Sequence, residues 1–333
     1  MSLRRWRQGE PIVDLAAVDI PDDLPYLLHP VVVDGACTVL FADGASGKSL
    51  IALALMVSVA TGQEIIPGIQ PIRCGPGIYW DWEWDAESHA ERLAAICAGA
   101  DIDIPKGMIL YQREFTSVLE AIPRMRKRVA ETGAVWAVAD SLGFARGGEP
   151  NSADLTTRTF AAFRTLTIPV LALDHVAKDA KDSTHSFGST YTFNAARSMW
   201  RIDTQKEEDK DDWYAALINT KANRKSQKTR GLIITTESDE DERLLSVRFQ
   251  STDVRAIPGL SGTLSLREHL AAILDANGHP MPIGDLMSCL EAEGRATTKG
   301  TVENCLSRSK KTFFNGRLGW GLIARPRVET NGN

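Results

Sequence analysis

Short, mostly apolar runs alternate with longer amphipathic segments along the first half of the chain. The runs are typical of strands covered on both faces, and the segments between them have the length of helices. This pattern predicts strands at residues 37–42, 77–83, 108–112, 134–140 and 169–174, and helices at residues 48–61, 88–99, 118–132 and 152–166. Strands that alternate with helices indicate an α/β fold with a mainly parallel sheet covered by helices on both faces.

Beyond residue 188 the pattern changes to apolar runs joined by short polar turns. We expect these runs to extend the sheet with antiparallel strands at residues 198–203, 213–220, 231–236 and 244–249. Residues 1–30 contain four prolines and are expected to form an irregular lead-in. The sheet domain is therefore predicted over residues 31–254.

The last part of the chain has the pattern of a separate small domain. Residues 255–264 contain Pro258 and two glycines and are expected to form a linker. Three helical segments follow, and then a strand–turn–strand pattern with its turn at Asn315 and Gly316. This order predicts a winged helix-turn-helix domain over residues 265–327.

Composition limits the class of protein and its compartment. The hydrophobic (43%) and charged (24%) fractions are those of an ordinary globular protein, and no apolar run has the length of a membrane span. The basic N-terminus is not followed by an apolar signal core, so we expect a cytoplasmic protein without membrane contact. The five cysteines have no metal-site spacing and are expected to be buried free thiols in a reducing compartment.

Charge is distributed unevenly along the chain. From residue 255 to the end there are ten Lys and Arg against seven Asp and Glu, whereas the preceding residues carry 28 against 36. A basic C-terminal segment is compatible with nucleic acid, and Arg308, Lys310 and Lys311 in the predicted recognition helix are candidate DNA contacts. A protein-interaction module of the same fold would not need DNA, and this alternative stays open.

Residues 42–49 fit the phosphate-loop pattern, with Ala42 in place of the usual first glycine. Glycines allow backbone N–H groups to turn toward phosphate oxygens, and the following helix presents its positive N-terminal end to the same anion. Lys48 supplies a cation for the β- and γ-phosphates, and Ser49 supplies a hydroxyl for Mg²⁺. The cofactors predicted are ATP and Mg²⁺, and the nucleotide-binding residues predicted are Asp43, Gly44, Ala45, Ser46, Gly47, Lys48, Ser49 and Leu50.

Polar residues end three predicted strands at the sheet edge where this loop lies. Asp140 ends an apolar strand, where a carboxylate can order the water shell of Mg²⁺. Glu83 is the candidate that polarises the attacking water, although spacing alone leaves Asp81 and Asp85 as rivals. His175 is placed to hydrogen-bond the γ-phosphate, or is a structural histidine.

Three tryptophans alternate with these acids along one predicted strand. With a period of two residues, Tyr79, Asp81 and Glu83 share one face and the tryptophans share the other. The two interpretations of the second face are packing under helices and stacking on DNA bases, and we favour packing. The tryptophans are Trp80, Trp82 and Trp84.

Together these motifs resemble the RepA-like branch of the RecA superfamily, which includes plasmid replicative helicases and phage or mobile-element ATPases. The resemblance covers roughly residues 25–250 and rests on Gly47-Lys48-Ser49 and on residues 79–83, 139–142, 174–178, 187–189 and 195–197. It implies a RecA-like fold that hydrolyses ATP. By this resemblance, Glu83 would be the catalytic carboxylate, Asp140 the Mg²⁺-site acid and His175 the γ-phosphate sensor.

The resemblance also implies a homo-oligomer, either a ring such as a hexamer or a filament, with ATP bound between subunits. A basic finger from the neighbour would complete each site, and the candidates are Arg197, Lys221 and Arg224. Lys221 and Arg224 are further apart than in the Lys-x-Arg pattern of many hexameric helicases. Single-stranded DNA is the expected partner, contacted by loops that carry Arg146, Lys178 and Lys181.

The leading hypothesis is therefore a DNA-dependent motor, most simply a replicative helicase. A recombinase-like ATPase that binds single strands without translocating is one alternative. A nucleotide-switched replication or transcription regulator with slow turnover is another. Sustained DNA-stimulated turnover separates a motor from a switch, and directional unwinding separates a helicase from a recombinase.

Overall fold

The computed structural model describes residues 12–20, 25–149, 152–176, 190–206, 212–223, 227–257 and 260–323. Its strands are β1 (Tyr26–His29), β2 (Val32–Val33), β3 (Cys37–Ala42), β4 (Gln70–Pro71), β5 (Gly77–Asp81), β6 (Ile109–Arg113), β7 (Trp136–Asp140), β8 (Val170–His175), β9 (Ser198–Lys206), β10 (Asp212–Ala222), β11 (Arg230–Ser238), β12 (Leu244–Thr252), β13 (Phe313–Gly316) and β14 (Gly319–Leu322). Its α-helices are α1 (Lys48–Thr61), α2 (Ala86–Gly99), α3 (Val118–Thr132), α4 (Leu142–Arg146), α5 (Ala153–Arg164), α6 (Thr190–Ala195), α7 (Leu266–Asn277), α8 (Ile283–Ala292) and α9 (Lys299–Arg308).

Nine strands form the central sheet in the order β12-β11-β10-β9-β3-β8-β7-β5-β6. The six strands from β9 to β6 in this order are parallel, and β10, β11 and β12 continue the sheet as antiparallel neighbours. The predicted mainly parallel sheet with an antiparallel extension is confirmed. Because β3 lies at the centre, the carboxyl ends of β8, β7 and β5 collect beside the loop that follows it.

Helices cover both faces of the sheet and define two apolar layers. α1 is apolar around nearly its whole circumference, because the sheet lies on one side and α2 packs against another. α2 also lies against β12. Only a glycine fits at its last residue, Gly99, because a Cβ there would be 1.9 Å from the carbonyl oxygen of Val247. The side chain of Glu91 on α2 accepts the N–H of Leu244 (2.7 Å), which fixes the same contact.

Several elements begin or end at residues other than those predicted, among them β5, β1 and the C-terminal hairpin. β5 ends at Asp81 rather than residue 83, because the carboxylate of Asp81 takes up the backbone N–H groups that follow it. β1 begins at Tyr26, within the predicted lead-in, and pairs with β2 and β4 in a small separate sheet. The C-terminal hairpin turns at residues 317–318, two residues later than predicted, because Gly316 pairs with Gly319 across the hairpin.

The last three helices and the β13–β14 hairpin pack around an apolar cluster of their own. A capping box starts α7, in which Ser265 and Glu268 each bond the other's backbone N–H. The preceding segment is packed rather than a free linker, since Ile257, Leu260 and Leu264 are buried beside Ala216 of β10. Apolar burial therefore ties the connecting segment to the large sheet.

The cysteines are free thiols, as expected, but only Cys37 and Cys97 are buried. Burial raises the pKa of the Cys37 thiol to about 12, so this group is unreactive at neutral pH. No helix in the described ranges combines the length and the apolar character that a membrane span requires.

Candidate nucleotide site

The phosphate loop connects the end of β3 to the start of α1. Ala45 and Gly47 have φ values of 58° and 75°, so the backbone turns back toward the helix. A Cβ built on Gly44 would have no atom within 4 Å, which shows that this side of the loop is open. An open loop against a helix N-terminus is a cradle of the shape and polarity that a phosphate group fits.

Lys48 is nearly buried within this loop. Its Nζ donates to the carbonyl oxygens of Ala42 (3.1 Å) and Asp43 (2.7 Å). Burial lowers the pKa of Lys48, and the charges of Asp140 and Glu83 oppose that shift. The ammonium group is thus held by two neutral carbonyl oxygens, with the carboxylates of Asp140 and Glu83 nearby, in position to bind a phosphate oxygen.

Ser49 and Asp140, the two predicted Mg²⁺ ligands, lie in direct contact. The Ser49 hydroxyl donates to Asp140 Oδ2 (2.7 Å), and the Tyr79 hydroxyl donates to the same oxygen (2.5 Å). Burial raises the pKa of Asp140, and the hydrogen bonds from Tyr79 and Ser49 act against it. The second carboxylate oxygen of Asp140 accepts neither of these two bonds.

This donor set fits a nucleotide-bound Mg²⁺ ion. A hydroxyl and a carboxylate are oxygen ligands of the kind Mg²⁺ takes, and the ion usually completes its shell with phosphates and water. Within the described residues no cluster of three or more His, Cys, Asp or Glu side chains would hold a metal by itself. The ion would therefore be held jointly by Ser49, Asp140 and the phosphates.

Glu83 and His175 face each other at the ends of β5 and β8, on either side of β7. His175 Nε2 lies 3.5 Å from Glu83 Oε1, and both side chains are partly exposed (42% and 30%). The hydrogen bond to His175 is the largest effect on Glu83 and lowers the pKa of its carboxyl group. Glu83 is therefore an ionised carboxylate with access to solvent, as a residue that orients a water molecule must be.

The two rival acids have other roles in the structure. Asp81 is fully buried, and its carboxylate accepts four hydrogen bonds from protein donors. Asp85 is the N-cap of α2, where its Oδ1 accepts the N–H of Ser88 (2.8 Å). Among the three acids that spacing left open, the geometry favours Glu83.

The interpretation of Arg146 as a DNA contact in an exposed loop is wrong. Arg146 ends α4 and is 1% exposed, and its guanidinium group pairs with Asp174 (3.1 Å) and donates to Thr192 (3.1 Å). The charge of the buried Asp174 accounts for this placement, because a buried carboxylate needs a partner. Lys178 and Lys181, the other two predicted loop contacts, lie outside the described residues.

Two of the three finger candidates lie at the opposite edge of the sheet from Lys48. The N–H of Arg197 donates to the carbonyl oxygen of Cys37 at the start of β3 (3.0 Å), and Lys221 pairs with Met199 near the start of β9. The length of β3 separates this edge from the phosphate loop by about 17 Å. Neither side chain can complete the site of its own chain, and Arg224 lies outside the described residues.

Sequence reasoning missed Trp213, which packs against the phosphate loop. A Cβ on Gly47 would lie 2.2 Å from Cη2 of the indole, so the ring excludes any side chain at that position. Lys206 Nζ lies 5.6 Å from the centre of the same ring. Only the long-range pairing of β10 with β9 brings Trp213 here, and no local motif signals it.

The three tryptophans after Tyr79 have different environments. Trp80 is buried in the core, and Trp82 is partly buried with its Nε1 donating to the Thr116 carbonyl oxygen (2.8 Å). Packing is therefore the role of the first two, as favoured from the sequence. Trp84 is 51% exposed beside Arg92, so it is not a core residue.

Arg308 ends α9, and Lys310 and Lys311 lie after it rather than within the predicted recognition helix. Together the three line one shallow cleft of about 590 Å³. Arg267 of α7, which the sequence did not single out, joins them because α7 packs beside the end of α9. Hydroxyl groups complete the lining, which carries no acidic side chain. The cleft is lined by Arg267, Ser307, Arg308, Ser309, Lys310, Lys311 and Thr312.

A phosphate loop on the central strand, a Ser–Asp metal-ligand pair and an exposed glutamate at the neighbouring strand ends define a P-loop ATPase-type domain. The family model of the AAA domain matches residues 10–181, and the chain belongs to this family. A search of the curated proteins found no match.

Proposed function

We propose that the protein binds and hydrolyses MgATP and works as a DNA-dependent motor of the RepA-like helicase type. The observation that carries hydrolysis is the Glu83–His175 pair beside Lys48 and the Ser49–Asp140 contact. Five side chains, from α1, β7, β8 and the turn after β5, converge on one edge of the sheet. An anion cradle without a polarising carboxylate would support binding only.

The proposed roles of these residues follow from the charges of their side chains. Lys48 binds the β- and γ-phosphates and neutralises charge that develops in the transition state. Ser49 and Asp140 hold Mg²⁺, which supplies further positive charge when bound. Glu83 orients a water molecule toward the γ-phosphorus and accepts its proton, and His175 holds the carboxylate and contacts the γ-phosphate.

The proposal of a ring or filament rests on where the cations lie. Within the described residues, two arginines near this edge, Arg146 and Arg201, are already in ion pairs with Asp174 and Asp203. Arg197 is exposed at the opposite edge, whereas Lys221 donates to carbonyl oxygens of α6. Head-to-tail association would bring the Arg197 edge of one subunit to the nucleotide edge of the next, and Arg197 is our preferred finger.

Mixing two inactive variants tests this arrangement. Lys48→Ala removes the phosphate contact in its own site, and Arg197→Ala removes the finger that the subunit lends to its neighbour. A mixed assembly contains some interfaces with both intact groups, so we expect the mixture to regain a measurable part of the turnover. A mixture that stays as inactive as its components, although it co-assembles on a sizing column, contradicts the shared site.

We propose that the C-terminal helices and hairpin form a winged helix-turn-helix that contacts DNA through the phosphate backbone. The support is the cleft with four cationic side chains and no acid, at the junction of α7 and α9. Helicase activity is tested by strand displacement on a duplex with one single-stranded tail. Displacement with one tail polarity supports the helicase proposal, and DNA-stimulated turnover without displacement supports the recombinase alternative.

A further inference from the structure

The turn that carries Glu83 is anchored from beneath by Asp81. Asp81 Oδ1 accepts the N–H of Glu83 (2.8 Å) and the N–H of Trp84 (3.1 Å). These two donors come two and three residues after the last strand residue, so the carboxylate replaces the pairing that a longer strand would give them. The direction in which Glu83 leaves the sheet is thus set by the position of one buried side chain.

Two further residues fix the Asp81 carboxylate itself. His89 Nε2 of α2 lies 2.9 Å from Oδ2, and the Tyr111 hydroxyl of β6 lies 3.1 Å from the same oxygen. The pKa of Asp81 is lowered, since burial raises it but the hydrogen bonds from His89 and from the backbone of Glu83 and Trp84 outweigh that effect. The carboxylate is therefore ionised, acceptor-only and fully used.

Tyr111 closes the turn from the other side. Its hydroxyl also lies 3.1 Å from the carbonyl oxygen of Trp84, so one proton is shared between two acceptors. The turn is held at two N–H groups by Asp81 and at one carbonyl by Tyr111. Asp81 belongs to β5, Tyr111 to β6 and His89 to α2. The geometry of the turn therefore depends on how these three elements pack, rather than on the local sequence.

The same cluster extends to the metal-ligand carboxylate. The ring of Tyr79 lies 4.5 Å from the ring of His89, and its hydroxyl donates to Asp140. The turn with Glu83 and the carboxylate of Asp140 are therefore braced by one packed group of side chains. A buried carboxylate is unfavourable unless its oxygens are fully hydrogen-bonded. Ending strand β5 would not by itself require a buried carboxylate at position 81.

We propose that Asp81, His89 and Tyr111 form a positioning network that holds the Glu83 carboxylate in line for the attacking water. The inference rests on the proposed role of Glu83 in hydrolysis. None of the three residues belongs to the phosphate loop or to the Ser49–Asp140 pair, so we expect their effect on the rate of the chemical step rather than on nucleotide binding. A displacement of the order of 1 Å at a reacting group lowers a rate by about 100-fold.

The test compares Tyr111→Phe and Asp81→Asn with Asp85→Asn. Asp85→Asn is the matched control, because it makes the same change four residues after Asp81, and asparagine still caps α2. We expect Asp81→Asn to lower kcat by about 100-fold and Tyr111→Phe by about 10-fold, with KM for ATP unchanged. The control is expected to retain kcat. Thermal unfolding of each variant shows whether it is folded.

A Tyr111→Phe variant that loses stability but keeps wild-type kcat contradicts the positioning role, as does a raised KM at constant kcat. A Gln at position 89 retains a donor, so His89→Gln is expected to keep more of kcat than His89→Ala. Glu83→Gln separates the two claims. If Glu83→Gln loses turnover while Asp81→Asn and Tyr111→Phe keep it, only the network is refuted. If Glu83→Gln itself keeps turnover, the proposed hydrolytic role of Glu83 is refuted.

Discussion

The Ser49 hydroxyl donates to the Asp140 carboxylate over 2.7 Å, and this contact joins the first turn of α1 to the end of β7. Residues 91 positions apart in the chain thereby form one oxygen-ligand pair. A sequence pattern identifies each as a candidate separately, and the parallel order of β3, β8 and β7 makes them neighbours. Their contact leads to the first prediction.

Ser49→Ala and Asp140→Asn are each expected to weaken Mg²⁺-dependent nucleotide binding by about 10- to 100-fold, because each change disrupts an oxygen ligand. A Mg²⁺ titration of a fluorescent ATP analogue measures the effect. Thr61→Ala, at the far end of α1 with its hydroxyl on the Val57 carbonyl oxygen, is the control. Ser49→Ala that responds to Mg²⁺ like this control would remove Ser49 from the metal site.

Trp213 is expected to report nucleotide binding, because its indole packs on Gly47 of the phosphate loop. Tryptophan emission should change when ATP is added, and Trp213→Phe should abolish most of that change. Trp136→Phe, a buried tryptophan on β7, is the control and should preserve it. If Trp213→Phe keeps the full change in emission, the signal does not come from Trp213 and the indole does not report nucleotide binding at the phosphate loop.

The Asp174 carboxyl is expected to contribute less to the stability of the protein as pH rises from about 4 to about 6. Burial raises its pKa from 3.8 to about 6, although Arg146 opposes the shift. The folded protein then keeps a proton that the unfolded chain has released, so folding is favoured at the low-pH end of this window. The loss across it is at most about 3 kcal/mol for this single group.

Urea denaturation across this pH range measures the effect. Asp174→Asn has no proton to release and should lack this part of the pH dependence. Asp154→Asn, an exposed aspartate on α5, serves as the control and should follow the wild type. Asp174→Asn with the wild-type slope would assign the dependence to other groups.

Removal of Arg146 alone is expected to destabilise the protein by about 3–5 kcal/mol, because Asp174 would be left buried without a partner. Arg146→Met combined with Asp174→Asn should recover part of that loss, since the uncompensated charge is then absent. Chemical denaturation of the two single variants and the double variant gives the coupling energy. Additive losses would mean that the pair contributes nothing as a pair.

Arg267→Ala combined with Lys311→Ala is expected to weaken binding to single-stranded DNA and to reduce its salt dependence. Each lost phosphate contact lowers the slope of log affinity against log salt by about 0.7. Fluorescence anisotropy of a labelled oligonucleotide provides both quantities. Lys299→Ala, at the start of α9 and paired with Glu303, is the control. Unchanged affinity in the double variant would contradict the DNA contact and leave the protein-interaction alternative.

Much of the sheet and most of the nucleotide site were predictable from local pattern. The apolar runs and the phosphate-loop motif at residues 43–50 are patterns of only a few consecutive residues. The sequence alone therefore indicates β3, the loop and α1. Asp140 was predictable because it ends an apolar strand beside a phosphate loop. Glu83 was the preferred candidate for the water-polarising residue, but spacing alone left Asp81 as a rival, because both lie on one face of the predicted strand and differ in what folds over them.

The missed residues act through packing between distant elements. Trp213 reaches the loop through β10, His89 reaches Asp81 through α2, and Arg146 turns inward because Asp174 is buried. A glycine-rich segment after Arg146 looks like an exposed loop in the sequence. The energetic need of a buried carboxylate overrides that local signal.

ATP hydrolysis measured with and without single-stranded DNA distinguishes a DNA-dependent motor from a nucleotide switch, with Lys48→Ala and Glu83→Gln as controls. We predict turnover that DNA raises several-fold and that both variants abolish, while Glu83→Gln still binds MgATP. A wild-type protein that binds ATP but turns it over slowly, at the same rate with and without DNA, would contradict the motor and favour a nucleotide-switched regulator.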